Sequence, residues 1–132
     1  AIDYRDWHVP LGRRFRALKL WFVLRSYGAE NLRTFIRSHV AWAEALESKV
    51  INDSRLELTA PRTLALVCFR HIDGNHATRE LADAINASGS AYVTPSVTDD
   101  VAYIRVSIGS TWTEQRHVED LWDLIDSNAG LK

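Results

Sequence analysis

Arginine is concentrated near the start of this 132-residue sequence, where Arg13, Arg14 and Arg16 fall within four positions. A guanidinium group pairs with carboxylates, phosphates or carbonyls, and a cluster of three needs several such partners. Few acidic residues lie close by in the sequence to supply them, and an apolar run, 18–27, follows directly. This segment is therefore predicted to dock onto a surface that the rest of the chain does not contain.

The other side chains that carry chemistry show no catalytic or metal-binding spacing. His71 and His76 flank a glycine-containing loop with no cysteine partner nearby, so a zinc site is not expected. Cys68 lies in an apolar stretch and is interpreted as a buried, inert thiol. Arg105 stands among apolar residues, where it would reach a substrate carboxylate or, as we favour, form a structural ion pair. His39 is interpreted as a packed core histidine.

The order Asp-Tyr-Arg-x-Trp-x-x-x-Leu-Gly-Arg-Arg-Phe-Arg-x-Leu-Lys-Leu-Trp at 3–21 resembles the late segment of the group II pyridoxal-phosphate (PLP) decarboxylases. That family includes the aromatic L-amino-acid, tryptophan and tyrosine decarboxylases. The resemblance continues in the same order through 23–28, 36–40, 66–70, 85–89 and 113–118. It covers nearly all of the chain and implies that the N-terminal two-thirds of such an enzyme is missing. The complete absence of methionine hints at a processed or truncated product.

The resemblance implies PLP as cofactor, a ring that withdraws electrons and is held covalently by a lysine. In the family this lysine directly follows a histidine. No His-Lys pair occurs here, where the lysines are Lys19, Lys49 and Lys132. The aspartate that pairs with the pyridine nitrogen also lies upstream in the family. We therefore expect no catalytic residue and no metal ligand in this chain, and activity only together with the N-terminal part.

What the resemblance assigns to this chain is part of a pocket wall. Leu11 and Gly12 match a Leu-Gly pair that lines the substrate side-chain pocket, where glycine leaves room for a bulky ring such as indole. The alternative is that Gly12 serves backbone geometry alone. Tyr4 and Arg5 match the segment after a mobile catalytic loop; Arg5 would anchor that loop, although a surface ion pair is slightly favoured. The loop tyrosine that separates decarboxylases from aldehyde synthases lies upstream.

The resemblance further implies a homodimer of the whole enzyme and an aromatic L-amino acid as substrate. It makes residues 1–18 the end of the large PLP domain and 19–132 a small C-terminal domain. A net charge of −1 and the lack of a long apolar run argue against nucleic-acid and membrane partners. A single cysteine suits the cytoplasm. Two alternatives stay open: a self-standing binding or regulatory module, and a nucleic-acid binder acting through the basic N-terminal segment.

Periodicity predicts the elements that position these residues. Three- and four-residue spacing of apolar residues indicates helices over 18–27 (short and buried), 30–50, 78–88 and a last one behind a capping box of Thr111 and Glu114. Strands are predicted at 56–59, at 64–69 with burial on both faces, and as a hairpin at 91–97 and 101–108. The tail, 127–130, is expected to fray. This order predicts an α+β fold, an antiparallel four-stranded sheet with helices packed on one face.

Overall fold

The computed structural model describes Trp7, Gly12 and residues 14–130. Its elements follow the predicted order: helices α1 (Arg16–Tyr27) and α2 (Ala29–Asn52), strands β1 (Leu56–Leu58) and β2 (Leu66–His71), helix α3 (Asn75–Ala87), strands β3 (Thr94–Thr98) and β4 (Val101–Ser107), and helix α4 (Gln115–Asn128). The chain divides into two compact units, 1–35 and 36–132. The boundary expected after residue 18 concerns the domains of a longer enzyme and stays a prediction.

The four strands form one antiparallel sheet in the order β1-β2-β4-β3. The central strands β2 and β4 place Val67 opposite Val106 and Cys68 opposite Arg105. β3 and β4 form the predicted hairpin, and β3, which carries Pro95, is an edge strand like β1. Because opposite residues of an antiparallel pair point to the same face, this register assigns each side chain to the core or to the other side of the sheet.

The apolar core of the second unit lies between one face of the sheet and the helices. Alternate strand residues enter it, among them Val67, Phe69 and Ile104, all fully buried. α3 contacts β2, β3, β4 and α4, and the C-terminal part of α2 joins the same cluster through Leu46 and Val50. A fully buried aliphatic or aromatic side chain contributes about 1.5–3 kcal/mol. The predicted fold class, an antiparallel four-stranded sheet with helices packed on one face, is confirmed.

The second strand differs from its prediction. It begins at Leu66, and its residues alternate between half-buried and buried along Leu66–His71, so burial on both faces was wrong. The physical reason is that the helices cover only one face of the sheet. Leu64, which was expected to open this strand, instead has a left-handed φ of 52° and is 71% exposed.

Helix α1 was expected to be buried and is not, since none of its residues is buried. Its large apolar side chains are between 42% and 59% exposed. The helix ends as predicted at Gly28, whose φ of 76° favours glycine and whose N–H donates to the Leu24 carbonyl. A helix with this many exposed apolar side chains presents a surface suited to packing against other protein. No described helix is both long and apolar enough to cross a lipid bilayer.

The C-terminal helix corrects two further predictions. Its capping box consists of Glu114 and His117, not Thr111 and Glu114: the Glu114 N–H donates to His117 Nδ1 at 3.1 Å. A histidine occupies the position where glutamate or glutamine is usual, so the sequence pattern placed the capping box one turn too early. The tail was expected to fray, but α4 continues to Asn128 and Ala129 is only 4% exposed.

Candidate functional site

Of the predicted pocket-wall and loop-anchoring residues, the structure describes only Gly12. Leu11, Tyr4 and Arg5 lie outside the described residues. Gly12 is exposed, and a Cβ atom built on it would have no described atom within 4 Å. No described packing contact therefore requires a glycine at position 12, and the alternative that Gly12 serves backbone geometry stays a prediction.

Helix α1 presents an aromatic surface within the first unit. The rings of Trp21 and Phe22 meet edge to face with centroids 5.1 Å apart. The guanidinium of Arg25 lies over the Trp21 ring at 5.9 Å from its centroid, a cation–π contact. Trp21 and Phe22 nevertheless stay 54% and 57% exposed. Large aromatic side chains held at the surface in this way are typical of protein–protein interfaces.

The sheet has an open face, defined here as the face turned away from α3 and α4. Cys68, Tyr103 and Arg105 lie on it, half-buried or exposed, in contrast to their buried neighbours in β2 and β4. A groove of about 370 Å3 passes Cys68 and Tyr103 on this face. Thr98 borders the same groove, and its hydroxyl lies 3.1 Å from the Tyr103 hydroxyl.

Cys68 and Arg105 lie opposite each other at the centre of the open face. Burial raises the pKa of the Cys68 thiol, while the Arg105 cation acts in the opposite direction. The thiol therefore stays protonated near neutral pH and is a poor nucleophile, as expected for an inert cysteine. The expectation that Cys68 is buried is wrong: it is only half-buried, because no helix packs on its face of the sheet. The expected ion pair of Arg105 is wrong: no carboxylate of residues 14–130 lies within 4.0 Å of its guanidinium. The alternation in each strand was visible in the sequence, but it does not fix the register that brings these two residues together.

The described histidines have structural surroundings. His39 is 3% exposed, and its pKa is lowered by burial, against a raising contribution from the Thr113 backbone. His71 is also buried, His76 is exposed, and His117 caps α4. Among the residues described, no group of three or more metal-ligating side chains comes together. The core role predicted for His39 is thus confirmed by its burial.

The described lysines do not fit a covalent cofactor site. Lys19 lies on the exposed surface of α1. The Lys49 ammonium lies over the ring of Trp122, 5.5 Å from the centroid, on the outside of α2 and α4. A lysine that binds PLP must instead point into an enclosed pocket beside groups that hold the phosphate and ring. Neither Lys19 nor Lys49 has such surroundings.

Comparison with known proteins decides the family. The family model of the pyridoxal-dependent decarboxylase conserved domain matches residues 1–72, which is more than half of the chain. The chain belongs to this family. Members of this family depend on PLP. The chain aligns with the C-terminal region of its relatives.

Several curated relatives are plant decarboxylases or aldehyde synthases. Tryptophan decarboxylase 2 of Oryza sativa subsp. japonica is 42% identical over 98% of this chain and 27% of its own length. Tyrosine/DOPA decarboxylase 1 of Papaver somniferum is 43% identical over 97% of this chain and 28% of its own length. A phenylacetaldehyde synthase of Arabidopsis thaliana reaches 42% identity with 98% and 28% coverage. The chain therefore spans less than a third of the length of these relatives.

Solved structures of the same group share the fold. The crystal structure of Oryza sativa TDC with PLP and tryptamine matches with a TM-score of 0.83 and 40% identity, covering 96% of this chain and 29% of that one. Catharanthus roseus tryptophan decarboxylase in complex with L-tryptophan matches with a TM-score of 0.81 and 40% identity, covering 97% and 29%. Mouse CSAD, at 17% identity and a TM-score of 0.75, shares the fold alone.

Proposed function

We propose that this chain is the C-terminal part of a PLP-dependent aromatic amino-acid decarboxylase and acts only with the N-terminal part that carries the cofactor lysine. One observation carries the proposal: 98% of the chain is 42% identical to a tryptophan decarboxylase, yet the match spans 27% of that enzyme. The sequence has no His-Lys pair, and the described lysines do not fit a cofactor site. The reaction is release of carbon dioxide from an aromatic L-amino acid, with L-tryptophan as the first choice.

In this proposal the chain supplies part of the wall of the substrate pocket. Leu11 and Gly12 line the side-chain pocket, and the missing side chain of Gly12 leaves room for an indole ring. This role is supported by the open space around Gly12, where a Cβ atom would meet no described atom within 4 Å. Tyr4 and Arg5 anchor the mobile catalytic loop that precedes them in the family.

The remaining proposals concern assembly. Residues 1–18 form the end of the large domain, and 19–132 form the small domain of a homodimeric enzyme. The exposed apolar surface of α1 and the open face of the sheet support this arrangement, since both offer area for a further layer of protein. The single cysteine and the absence of a described membrane-spanning helix agree with work in the cytoplasm.

A chimera tests the proposal. This chain replaces the matching C-terminal region of rice tryptophan decarboxylase 2, and the purified protein is assayed for PLP absorbance and for carbon dioxide released from L-tryptophan. We expect both, and no carbon dioxide from a control chimera in which the lysine after the upstream histidine is alanine. A soluble chimera that binds no PLP and releases no carbon dioxide would contradict the proposal and favour a self-standing module.

A further inference from the structure

Both ring nitrogens of a buried histidine are bonded at the end of β2. The side chain of His71, the last residue of that strand, is only 8% exposed. Its Nε2 lies 2.9 Å from the carbonyl oxygen of Ala129, and its Nδ1 accepts from the Asp73 N–H at 3.1 Å. A neutral imidazole has one donor and one acceptor, so the proton lies on Nε2 in this arrangement. The acceptor, Nδ1, is the atom that takes up a proton when the ring becomes charged.

The short connection between β2 and α3 depends on that acceptor. The Ile72 N–H donates to the Arg55 carbonyl at 2.9 Å, and the Gly74 N–H donates to the His71 carbonyl at 3.1 Å. Backbone carbonyl oxygens stay acceptors at every ordinary pH. The Asp73 N–H between these two amides bonds instead to the imidazole, whose capacity to accept is lost on protonation. The middle of the connection is therefore the part whose hydrogen bonding depends on pH.

Charged groups approach this ring from its own connection, from the segment before β1 and from α4. On the same connection, Oδ2 of the Asp73 carboxylate lies 3.6 Å from Nδ1. Before β1, the Asp53 carboxylate interacts electrostatically with His71 and accepts from Arg55 Nε at 2.9 Å. On α4, the backbone carbonyl of Asp126 accepts from the same guanidinium at 3.0 Å. A positive charge on the ring would thus lie directly beside the Asp73 carboxylate, whereas Asp53 and Arg55 are already paired with each other.

We propose that His71 is a pH-sensitive switch that changes the hydrogen bonding of the connection between β2 and α3. Histidine is the side chain that ordinarily changes its charge between about pH 5 and 8. When a proton from solvent binds Nδ1, this atom becomes a donor, the Asp73 N–H is released, and the Asp73 carboxylate becomes the acceptor in its place. The Nε2–H keeps its bond to the Ala129 carbonyl, which becomes charge-assisted at the C-terminal end of a helix. Acidification therefore loosens the connection before α3 and strengthens the attachment of α4.

The exchange of acceptors needs only a small movement. A charge-assisted bond from an imidazolium to a carboxylate is about 2.7–2.9 Å long, so Oδ2 of Asp73 must approach Nδ1 by less than about 1 Å from its present 3.6 Å. The Asp73 side chain is 75% exposed and can rotate into this position through solvent. Its released N–H belongs to the same surface residue and can bond to water, so neither state leaves a buried polar group without a partner.

Nitrogen NMR and amide hydrogen exchange on the full 132-residue chain test the switch. At about pH 8 we expect His71 to carry its proton on Nε2, and at about pH 5 we expect protons on both ring nitrogens. Over the same range the Asp73 amide should become about tenfold faster in exchange, after correction for the intrinsic effect of pH. The ring and the amide should change with the same pH midpoint. The Gly74 amide, which bonds to a carbonyl, should change by less than about threefold.

His71→Gln keeps a donor and an acceptor but cannot take up a proton, so the corrected exchange rate of the Asp73 amide should no longer depend on pH. His76→Gln is the matched control at a histidine that is 87% exposed, and it should keep the tenfold change. A response to pH that survives in His71→Gln would overturn the inference. Within the unaltered chain, different midpoints for ring and amide, a proton on Nδ1 at about pH 8, or a ring still neutral at about pH 5 would each overturn it as well, even if His71→Gln fails to fold.

Discussion

The Nε2 atom of His71 lies 2.9 Å from the carbonyl oxygen of Ala129, at the end of the C-terminal helix. Its Nδ1 accepts from the Asp73 N–H at 3.1 Å, so the proton resides on Nε2 and is donated to Ala129. The His71 N–H donates to Thr78 Oγ1 at 3.1 Å. One buried residue thereby ties the end of β2, the first turn of α3 and the end of α4 together.

Replacing His71 with leucine should destabilise the chain by about 1–3 kcal/mol, because the buried Ala129 carbonyl and the Asp73 N–H lose their partner while the volume is kept. Urea unfolding measures the loss, and hydrogen exchange should localise it to the last turn of α4. His76→Leu is the control, since the His76 side chain is 87% exposed, and should change the free energy by less than about 0.5 kcal/mol. Equal effects of the two substitutions would refute the role of His71.

The burial of His39 should make the free energy of unfolding depend on pH in the range of histidine. Burial holds its pKa below the ordinary value of 6.5, so the unfolded chain takes up the proton first as the pH falls. The stabilisation is complete above about pH 6.5 and is lost as the pH falls through the folded-state pKa. His39→Leu should flatten urea-derived stability between about pH 7 and 5, whereas His76→Leu should leave the slope unchanged.

Asp53 should account for part of the loss in free energy of unfolding at acid pH. Its pKa is lowered, first by the hydrogen bond from Arg55, whose Nε lies 2.9 Å from Oδ1. The contribution is present above the ordinary value of 3.8 and is lost as the pH falls through the folded-state pKa. Arg55→Met should reduce this loss, measured as the free energy of unfolding below about pH 4. The control Asp120→Asn removes an exposed carboxylate of α4 and should leave this acid-induced loss of stability unchanged.

Gly12 should influence which aromatic ring the complete enzyme accepts. In the rice chimera, Gly12→Ser adds atoms where the indole ring is proposed to lie, so kcat/KM for L-tryptophan should fall by about 10–100-fold relative to L-tyrosine. Gly109→Ser is a matched control outside the pocket, since a Cβ atom there also meets open space. A parallel loss for both substrates, or the same loss in the control, would contradict the pocket-wall role.

The sequence predicted the order and class of the elements because periodicity reports which face of each one is apolar. The prediction failed where an apolar residue or segment is exposed. The 18–27 run is helical but exposed, and Leu64 precedes its strand in a left-handed conformation, since the sequence does not say whether the covering layer belongs to this chain. The ordered C-terminal end of α4 was also not predicted, because the hydrogen bond from His71 to Ala129 joins residues 58 positions apart.

The site is predictable to a smaller extent. The expectation that the cofactor lysine lies outside this chain rests on the family resemblance, since no lysine here directly follows a histidine. The proximity of Cys68 and Arg105 depends on strand register, which alternation leaves undetermined.

The edges of the sheet limit how any partner can join this domain. β1 has only three residues, and β3 carries Pro95, which lacks an N–H and is tolerated because β3 is an edge strand. Neither border is a good template for another strand. Growth of the sheet into fibrils is thus discouraged while the domain stands alone, and recognition is left to side-chain contacts.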